Sequence, residues 1–244
     1  MMIISAIKLL TDKERHLITN IKENTVNSVK IKALIEAYGM GYEFMRFYAD
    51  EKGDIVMSVQ DNAATVYLKN PEKADEVAEF LMMISNEILS EYPLTLDGYK
   101  EEIGNIYYCD NILESNLDGI SHEIKDGYNV LSQIFKDSMN EKNYARWYTD
   151  TSHRIRHHVS KLYTYRGICS GTSYCNVNGM MLLTQLGTLQ EARRMGLARK
   201  LIHHIATDQK DVKTIALLSQ DENSDQFYEK NEFSCVGRWY YYTK

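Results

Sequence analysis

The segment GMMLLTQLGT, residues 179–188, is apolar along most of its length, as a strand buried on both faces would be. Directly after it comes LQEARRMGLARKLIHHI, in which Leu197, Leu201, Ile202 and Ile205 recur at helical spacing. A buried strand that passes through a short turn into an amphipathic helix constrains the chain to α/β layering, with the helix packed back on the sheet. Such a junction presents unpaired backbone N–H groups and the positive end of a helix dipole. Gly196 lets the backbone approach a bulky anion, and Arg193, Arg194, Arg199 and Lys200 add full charges. Together they form a cradle for an anion, most often a phosphate. A solvated basic helix start is the alternative reading of the same letters.

The elements around this junction alternate. Helical patterns cover GYNVLSQIFKDSM and YARWYTDTSHRIRHH; strand patterns cover LYTYRG and ICSGTSYCNV; TIALLSQ is an apolar strand, SDQFYEKN a short helix and SCVGRWYYYT a closing strand. The first half carries a shorter version. Thr11 with Glu14 forms a capping-box pattern, and VKIKALIEAY stops at Gly39 and Gly41. YEFMRFYAD, DIVMSVQ and AATVYLK read as three strands, ADEVAEFLMMISNEILSEY as one long helix with Val77, Phe80, Leu81, Ile84 and Ile88 on one side, and NIYYCD as a further strand. Both halves set a three-strand meander before a main helix, which suggests a duplication. The polar, glycine-marked SNLDGISHEIKDG divides an N-terminal α/β domain, 1–115, from a second domain, 116–244. In the first, Tyr42, Phe44 and Tyr48 are expected in the core.

Composition narrows the functional classes. The formal net charge of -6 argues against non-specific nucleic-acid binding. Cys109, Cys169, Cys175 and Cys235 form no CxxC pair, so free thiols are expected although Cys169 and Cys175 could meet across a hairpin. MMIISAIKLL is too short an apolar run for a signal peptide and no window approaches a membrane span, which points to a cytoplasmic protein without a membrane partner. Histidines and cysteines show no zinc-ligand spacing, so no metal is expected. His203 and His204 are expected to be structural or exposed.

Arg193-Arg194-Met195-Gly196-Leu197-Ala198 resembles the Q/R-x-x-G-x-G/A pyrophosphate loop of the GNAT acetyltransferases, and FYEKNEF, Phe227 to Phe233, resembles the second signature of that family, usually close to LYEKLGF. The resemblance covers roughly residues 127–244. It implies a mixed central sheet flanked by helices, with the N-terminal domain a partial copy that lacks the phosphate loop. It implies acetyl-CoA as co-substrate and transfer of acetyl to an amine. Backbone amides from Arg193 or Arg194 through Ala198, with Arg199, would hold the pyrophosphate; Leu186, Gly187 and Thr188 would run beside the pantetheine like an added strand; Tyr228 would act as general acid toward the thiolate. The chain departs from the family letters at Glu232, Asp221 and Gln190, where glycine, asparagine and proline are usual.

The strand 179–188 has no carboxylate to serve as base. The densest titratable stretch, DTSHRIRHH, offers Asp150, His153, Arg154, Arg156 and His157 for an acidic acceptor or a base, or else a solvated helix end. The acceptor is expected to be a small-molecule or peptide amine, and the oligomeric state stays open, a homodimer included. Direct transfer is expected, because no Cys/His pairing is evident. A catalytically weak acyl-CoA-binding sensor or scaffold is the alternative.

Overall fold

A computed structural model of the chain describes residues 7–244; most of the N-terminal apolar run, residues 1–6, lies outside the described residues. In chain order the elements are β1 (Lys8–Leu9), α1 (His16–Thr19), α2 (Val26–Tyr38), β2 (Met45–Ala49), β3 (Ile55–Gln60), β4 (Ala63–Leu68), α3 (Ala74–Ile84), β5 (Glu87–Ser90), β6 (Lys100–Cys109), β7 (Ile120–Ser121), α4 (Ile124–Ile134), α5 (Glu141–Arg156), β8 (Lys161–Tyr165), β9 (Cys169–Val177), β10 (Met180–Thr188), α6 (Leu197–Asp208), β11 (Thr214–Ser219), α7 (Glu222–Lys230) and β12 (Ser234–Thr243). Two compact units emerge. One holds the chain up to Tyr107 with Leu218–Phe227 and Cys235–Lys244, the other Tyr108–Leu217 with Tyr228–Ser234. Contiguous halves, 1–115 and 116–244, differ from this in the last strand: β12 runs antiparallel to β5 through Tyr240–Thr243 and so sits in the first unit.

In the first unit the strands lie in the order β1-β2-β3-β4-β5-β12-β6. The meander β2-β3-β4 is antiparallel, and β4 then pairs parallel with β5 over Ala63–Val66 and Glu87–Ser90. Ile55, Met57 and Val59 alternate to one face and pack with Val77, Ala78 and Leu81 of α3. Helix α2 is capped by Thr25, whose side chain accepts from Ser28 N–H, and closes at Gly39 in the left-handed region, φ 64°. The long helix expected over 74–92 is instead α3 followed by β5. Ser85 turns extended, φ -140° and ψ 147°, and the short segment Glu87–Ser90 gains two strand neighbours. Ladder pairing on both edges outweighs a helical pattern that only Ile88 prolongs. Tyr48 is buried as expected, whereas Tyr42 and Phe44 stand at 45% and 39% exposure, stacked with Tyr38 at the rim.

In the second unit the order is β11-β10-β9-β8-β7, with β10 parallel to β11 and the remaining neighbours antiparallel. Two glycines show where the helices lie. A Cβ on Gly187 would meet Ile134 of α4, and one on Gly171 would meet Ile205 of α6. Gly187 pairs with Ser170, the residue next to Gly171, so the two helices cover opposite faces. Helix α5 joins α4 through Trp147 and Ile155, which pack on Leu131, Met139 and Leu162. All four cysteines are free, with Cys235 exposed. Among the described residues no helix is long and apolar enough to cross a membrane.

The tightest backbone approach lies in the first unit. An added Cβ at Gly104 of β6 would stand 2.2 Å from the Ser219 carbonyl and 2.4 Å from the Trp239 ring, whose Nε1 donates to that same carbonyl at 2.9 Å. Gly104→Ala should lower the unfolding free energy by about 1–3 kcal/mol or more, because neither backbone nor indole can yield; a denaturant melt that leaves the midpoint unchanged would contradict this packing.

Candidate functional site

The site grows from strand β10. Its parallel ladder with β11 runs from Met180–Thr214 to Leu182–Ala216 and no further. At that point the antiparallel register with β9 shifts, leaving Tyr174 as an extra residue on β9. A second shift follows: Thr184 faces Thr172 and Gly187 faces Ser170, so Gln185 and Leu186 together oppose Gly171. Gln185 takes a left-handed φ of 53°, and Thr172 Oγ1 holds its side-chain oxygen at 3.2 Å. Two bulges in succession bend and twist a strand. Past Leu182 the edge of β10 that faced β11 has no strand partner among the described residues. Leu186, Gly187 and Thr188 therefore lie along an edge with no strand partner, where the Thr188 carbonyl is taken by Arg193 Nε.

The chain then makes one 3₁₀ turn, Gln190–Ala192, and swings into α6. Arg194 and Gly196 both have positive φ, 64° and 73°. Among the described residues, no backbone N–H from Arg194 through Arg199 has a partner; the first engaged one is Lys200 N–H, on Gly196 C=O at 3.1 Å. A Cβ at Gly196 would meet nothing within 4 Å, so the concave side of the turn is open. Six adjacent N–H groups at the positive end of a twelve-residue helix suit a diphosphate. Arg193 differs from Arg194. Its N–H is spent on Gln190 C=O at 3.3 Å, and its Nε donates to Thr188 C=O at 3.1 Å, so it braces the turn. Met195 is an exposed side chain at the tip.

FYEKNEF closes helix α7. Phe233 N–H and Asn231 N–H both donate to Tyr228 C=O, and Glu232 turns left-handed at φ 66°. Tyr228 is half-buried with its ring 5.5 Å from Phe233. At the end of α5 the five titratable residues separate. Arg154 is 5% exposed and fully committed: it donates to Asp150 at 2.7 and 3.0 Å and to Ser160 Oγ at 3.1 Å, and lies 4.2 Å over the Tyr174 ring. Asp150 and Arg154 thus tie α5 to the extra residue of β9 and are not displayed as an anion hook. Arg156 and His157 are exposed, and His157 stacks on His153 with ring centroids 4.3 Å apart.

Two features escaped the sequence. His203 Nδ1 accepts Leu113 N–H at 3.3 Å, His204 Nδ1 lies 3.2 Å from Leu117 N–H, and Ser115 Oγ donates to Lys200 C=O at 2.9 Å, so residues 113–117 are strapped along α6. Adjacent histidines on the helix were the only signal. The other is a contrast in the first unit. Where β4 and β5 end their parallel ladder, the buried Asn27 of α2 donates from Nδ2 to Val66 C=O at 2.8 Å and Leu89 C=O at 3.3 Å, while its N–H donates to Glu91 at 2.7 Å. That gap is filled by the chain itself. The following turn is capped by Asn70 and pinned by the Lys73–Asp50 ion pair at 2.6 Å, with Asp75 and Glu76 in the first turn of α3.

Solved structures share the overall fold. A Drosophila protein from a structural genomics programme superposes with a TM-score of 0.64 at 11% identity, covering 98% of this chain and 99% of its own. A GCN5-related N-acetyltransferase from Kribbella flavida gives 0.55 at 13%, over 90% and 94%. The chain has the GNAT acetyltransferase fold. A tandem GNAT protein from the clavulanic acid biosynthesis pathway matches with a TM-score of 0.55 at 10% identity over 98% of this chain and 97% of its own, so the fold similarity covers both units. No protein-family model matches the sequence, and no curated protein does. Among the described residues no group of three or more metal-ligating side chains converges.

Helix α6 also carries a buried histidine. Burial, with Arg199 beside it, pushes the His203 imidazole below its ordinary value of 6.5, against an opposing pull from Glu232. The folded state therefore binds this proton less readily than the unfolded chain, and the contribution present above pH 6.5 is lost as pH falls through the lowered value. Between pH 7 and 5 the wild type should lose more stability than His203→Asn, which keeps an acceptor near Nδ1 and does not titrate; parallel melting-temperature profiles would remove His203 from the strap.

Proposed function

We propose that the chain is an N-acetyltransferase that moves the acetyl group of acetyl-CoA directly to a primary amine of a small molecule or peptide. The observation that carries this reading is the conjunction, within one unit, of an open strand edge at Leu186–Thr188 and six unengaged N–H groups from Arg194 to Arg199. Acetyl-CoA would supply the activated thioester. The N–H groups of Arg194 through Arg199 bind the pyrophosphate, with the guanidinium of Arg199 adding charge. The free edge of β10 takes the pantetheine arm as an added strand, and an N–H of that stretch stabilises negative charge on the carbonyl oxygen.

Tyr228 holds a proton on its phenolic oxygen for the departing thiolate. The amine proton leaves through water, since β10 offers no carboxylate. A covalent route through cysteine is disfavoured: burial pushes the Cys169 thiol up, and its sulfur lies 3.2 Å from Thr188 Oγ1 with no base recorded beside it. The exposed Arg156 and His157 are the residues of α5 assigned to the acceptor, with the His153 ring stacked on His157. The missing carboxylate also favours a second reading, an acyl-CoA-binding sensor without turnover.

Calorimetric titration should give micromolar acetyl-CoA binding at one equivalent per chain, because Asn27 fills the gap in the first unit. Gly196→Glu, which sets a carboxylate in the cradle at a backbone strain of about 1 kcal/mol, should abolish binding while the protein still melts cooperatively. Binding retained in that variant would mean that the turn is only a helix start. In an amine screen Tyr228→Phe should lower turnover at least tenfold with acetyl-CoA affinity unchanged; equal turnover would take Tyr228 out of the mechanism, and no turnover with tight binding would support the sensor.

A further inference from the structure

Gly187 is the one residue of β10 without a side chain, and the space above it is already taken. A Cβ there would stand 2.6 Å from Ile134 Cδ1, 3.2 Å from Ile134 Cγ2 and 3.5 Å from Phe135 Cε2. Ile134 and Phe135 are themselves only half-buried. They are also held rigidly. Phe135 ends α4, and its carbonyl accepts from Met139 N–H at 2.7 Å and Ser138 N–H at 3.2 Å. The turn is braced again by Asn140 Nδ2 on Asp137 C=O at 2.9 Å and Asn143 Nδ2 on Ser138 C=O at 3.1 Å. Met139 is buried in the same cluster as Leu131 and Leu162.

We propose that Ile134 and Phe135 form the wall that limits the length of the acyl group, so that the donor is acetyl-CoA in preference to longer acyl-CoA thioesters. This inference rests on the acyl-CoA reading, which puts the thioester beside Leu186–Thr188. An acyl chain lying along that edge passes the face of Gly187, where a side chain would otherwise stand. Ile134 and Phe135 descend into that vacancy and close it from the α4 side. On the opposite, α6 side the Leu186 side chain packs toward Gly171, where an added Cβ would find its Cδ1 at 3.2 Å. The backbone thus leaves the plane of the sheet open and both sides above and below it walled, the upper wall by two removable apolar side chains.

The test is a calorimetric series with CoA, acetyl-CoA, butyryl-CoA and hexanoyl-CoA on the wild type, Ile134→Ala and Phe135→Ala. In the wild type, hexanoyl-CoA should bind at least tenfold more weakly than acetyl-CoA. Each alanine variant should reverse the order, since each methylene buried in the freed volume is worth about fourfold in affinity. Free CoA, which has no acyl group, should bind all three proteins equally, a result that general loosening of the fold would not give. Should an alanine variant not fold, Ile134→Val and Phe135→Leu carry the same comparison with a smaller shift. A flat length series in the wild type, or an unchanged series in folded variants, overturns the wall while leaving the acyl-CoA reading intact. Failure of every CoA species to bind the wild type removes that reading and the wall together.

Discussion

The structure turns on the point at which β10 leaves β11. Parallel strands normally stay paired because each buried N–H and C=O left without a partner costs about 1–3 kcal/mol. Here pairing stops after Leu182 and Ala216, and two bulges hold β10 away. The second bulge needs Gln185 in a left-handed conformation that costs a non-glycine residue about 1 kcal/mol. Thr172 anchors the Gln185 side chain, and Gly171 opposite leaves room for Leu186. The open edge, the swing through Arg193 and the left-handed entry into α6 at Gly196 all follow from that departure. A straight β10 would close the edge and carry the turn elsewhere.

The first unit shows the alternative solution to the same problem. Its parallel pair β4 and β5 also comes to an end, after Val66 and Ser90. The carbonyls there are satisfied at once by Asn27 Nδ2, and the N-terminus of α2 is in turn satisfied by Glu91. Burial pushes the Glu91 carboxyl up, while N–H bonds from Asn27 and Val26 and the Thr25 hydroxyl pull the other way. An internal amide and an internal carboxylate thus close the end of this ladder. In the second unit the edge of β10 past Leu182 meets no strand among the described residues, whereas here polar side chains at one helix start satisfy the ladder's end.

Much of this was legible in the chain. Strands β8 to β12 and the helices between them follow their apolar patterns, and RRMGLA marks the turn because cations and a glycine precede a helical stripe. The misread stretch was 74–92. Its apolar spacing keeps helical register as far as Ile88, and only ladder partners far away in sequence, Ala63–Val66 and Tyr240–Thr243, turn its end into β5. Arg154 was equally opaque: its charge suggests a ligand, but its partners Ser160 and Tyr174 come from other elements. The bulge at Gln185 has no letter of its own. The strand glycines Gly171 and Gly187 were the available hint, since glycine inside a strand marks a bulge or a close approach.

The departures from the family letters resolve in the same physical terms. At Glu232 the backbone stands at φ 66°, the region that glycine enters without strain. The chain keeps that geometry with glutamate, whose carboxylate accepts from Asn111 Nδ2 and offsets part of the cost. Asp221, in the place of an asparagine, accepts from Asn223 N–H and Ser224 N–H at 3.0 Å and so starts α7; those bonds, with the Ser224 hydroxyl first, hold its carboxyl below the ordinary range. Gln190 opens a 3₁₀ turn without proline. In each case this chain makes a defined turn with a residue other than the usual one. What the turn offers is a pair of left-handed residues, Arg194 and Gly196, and a run of unengaged N–H groups, which are the parts that an anion can contact.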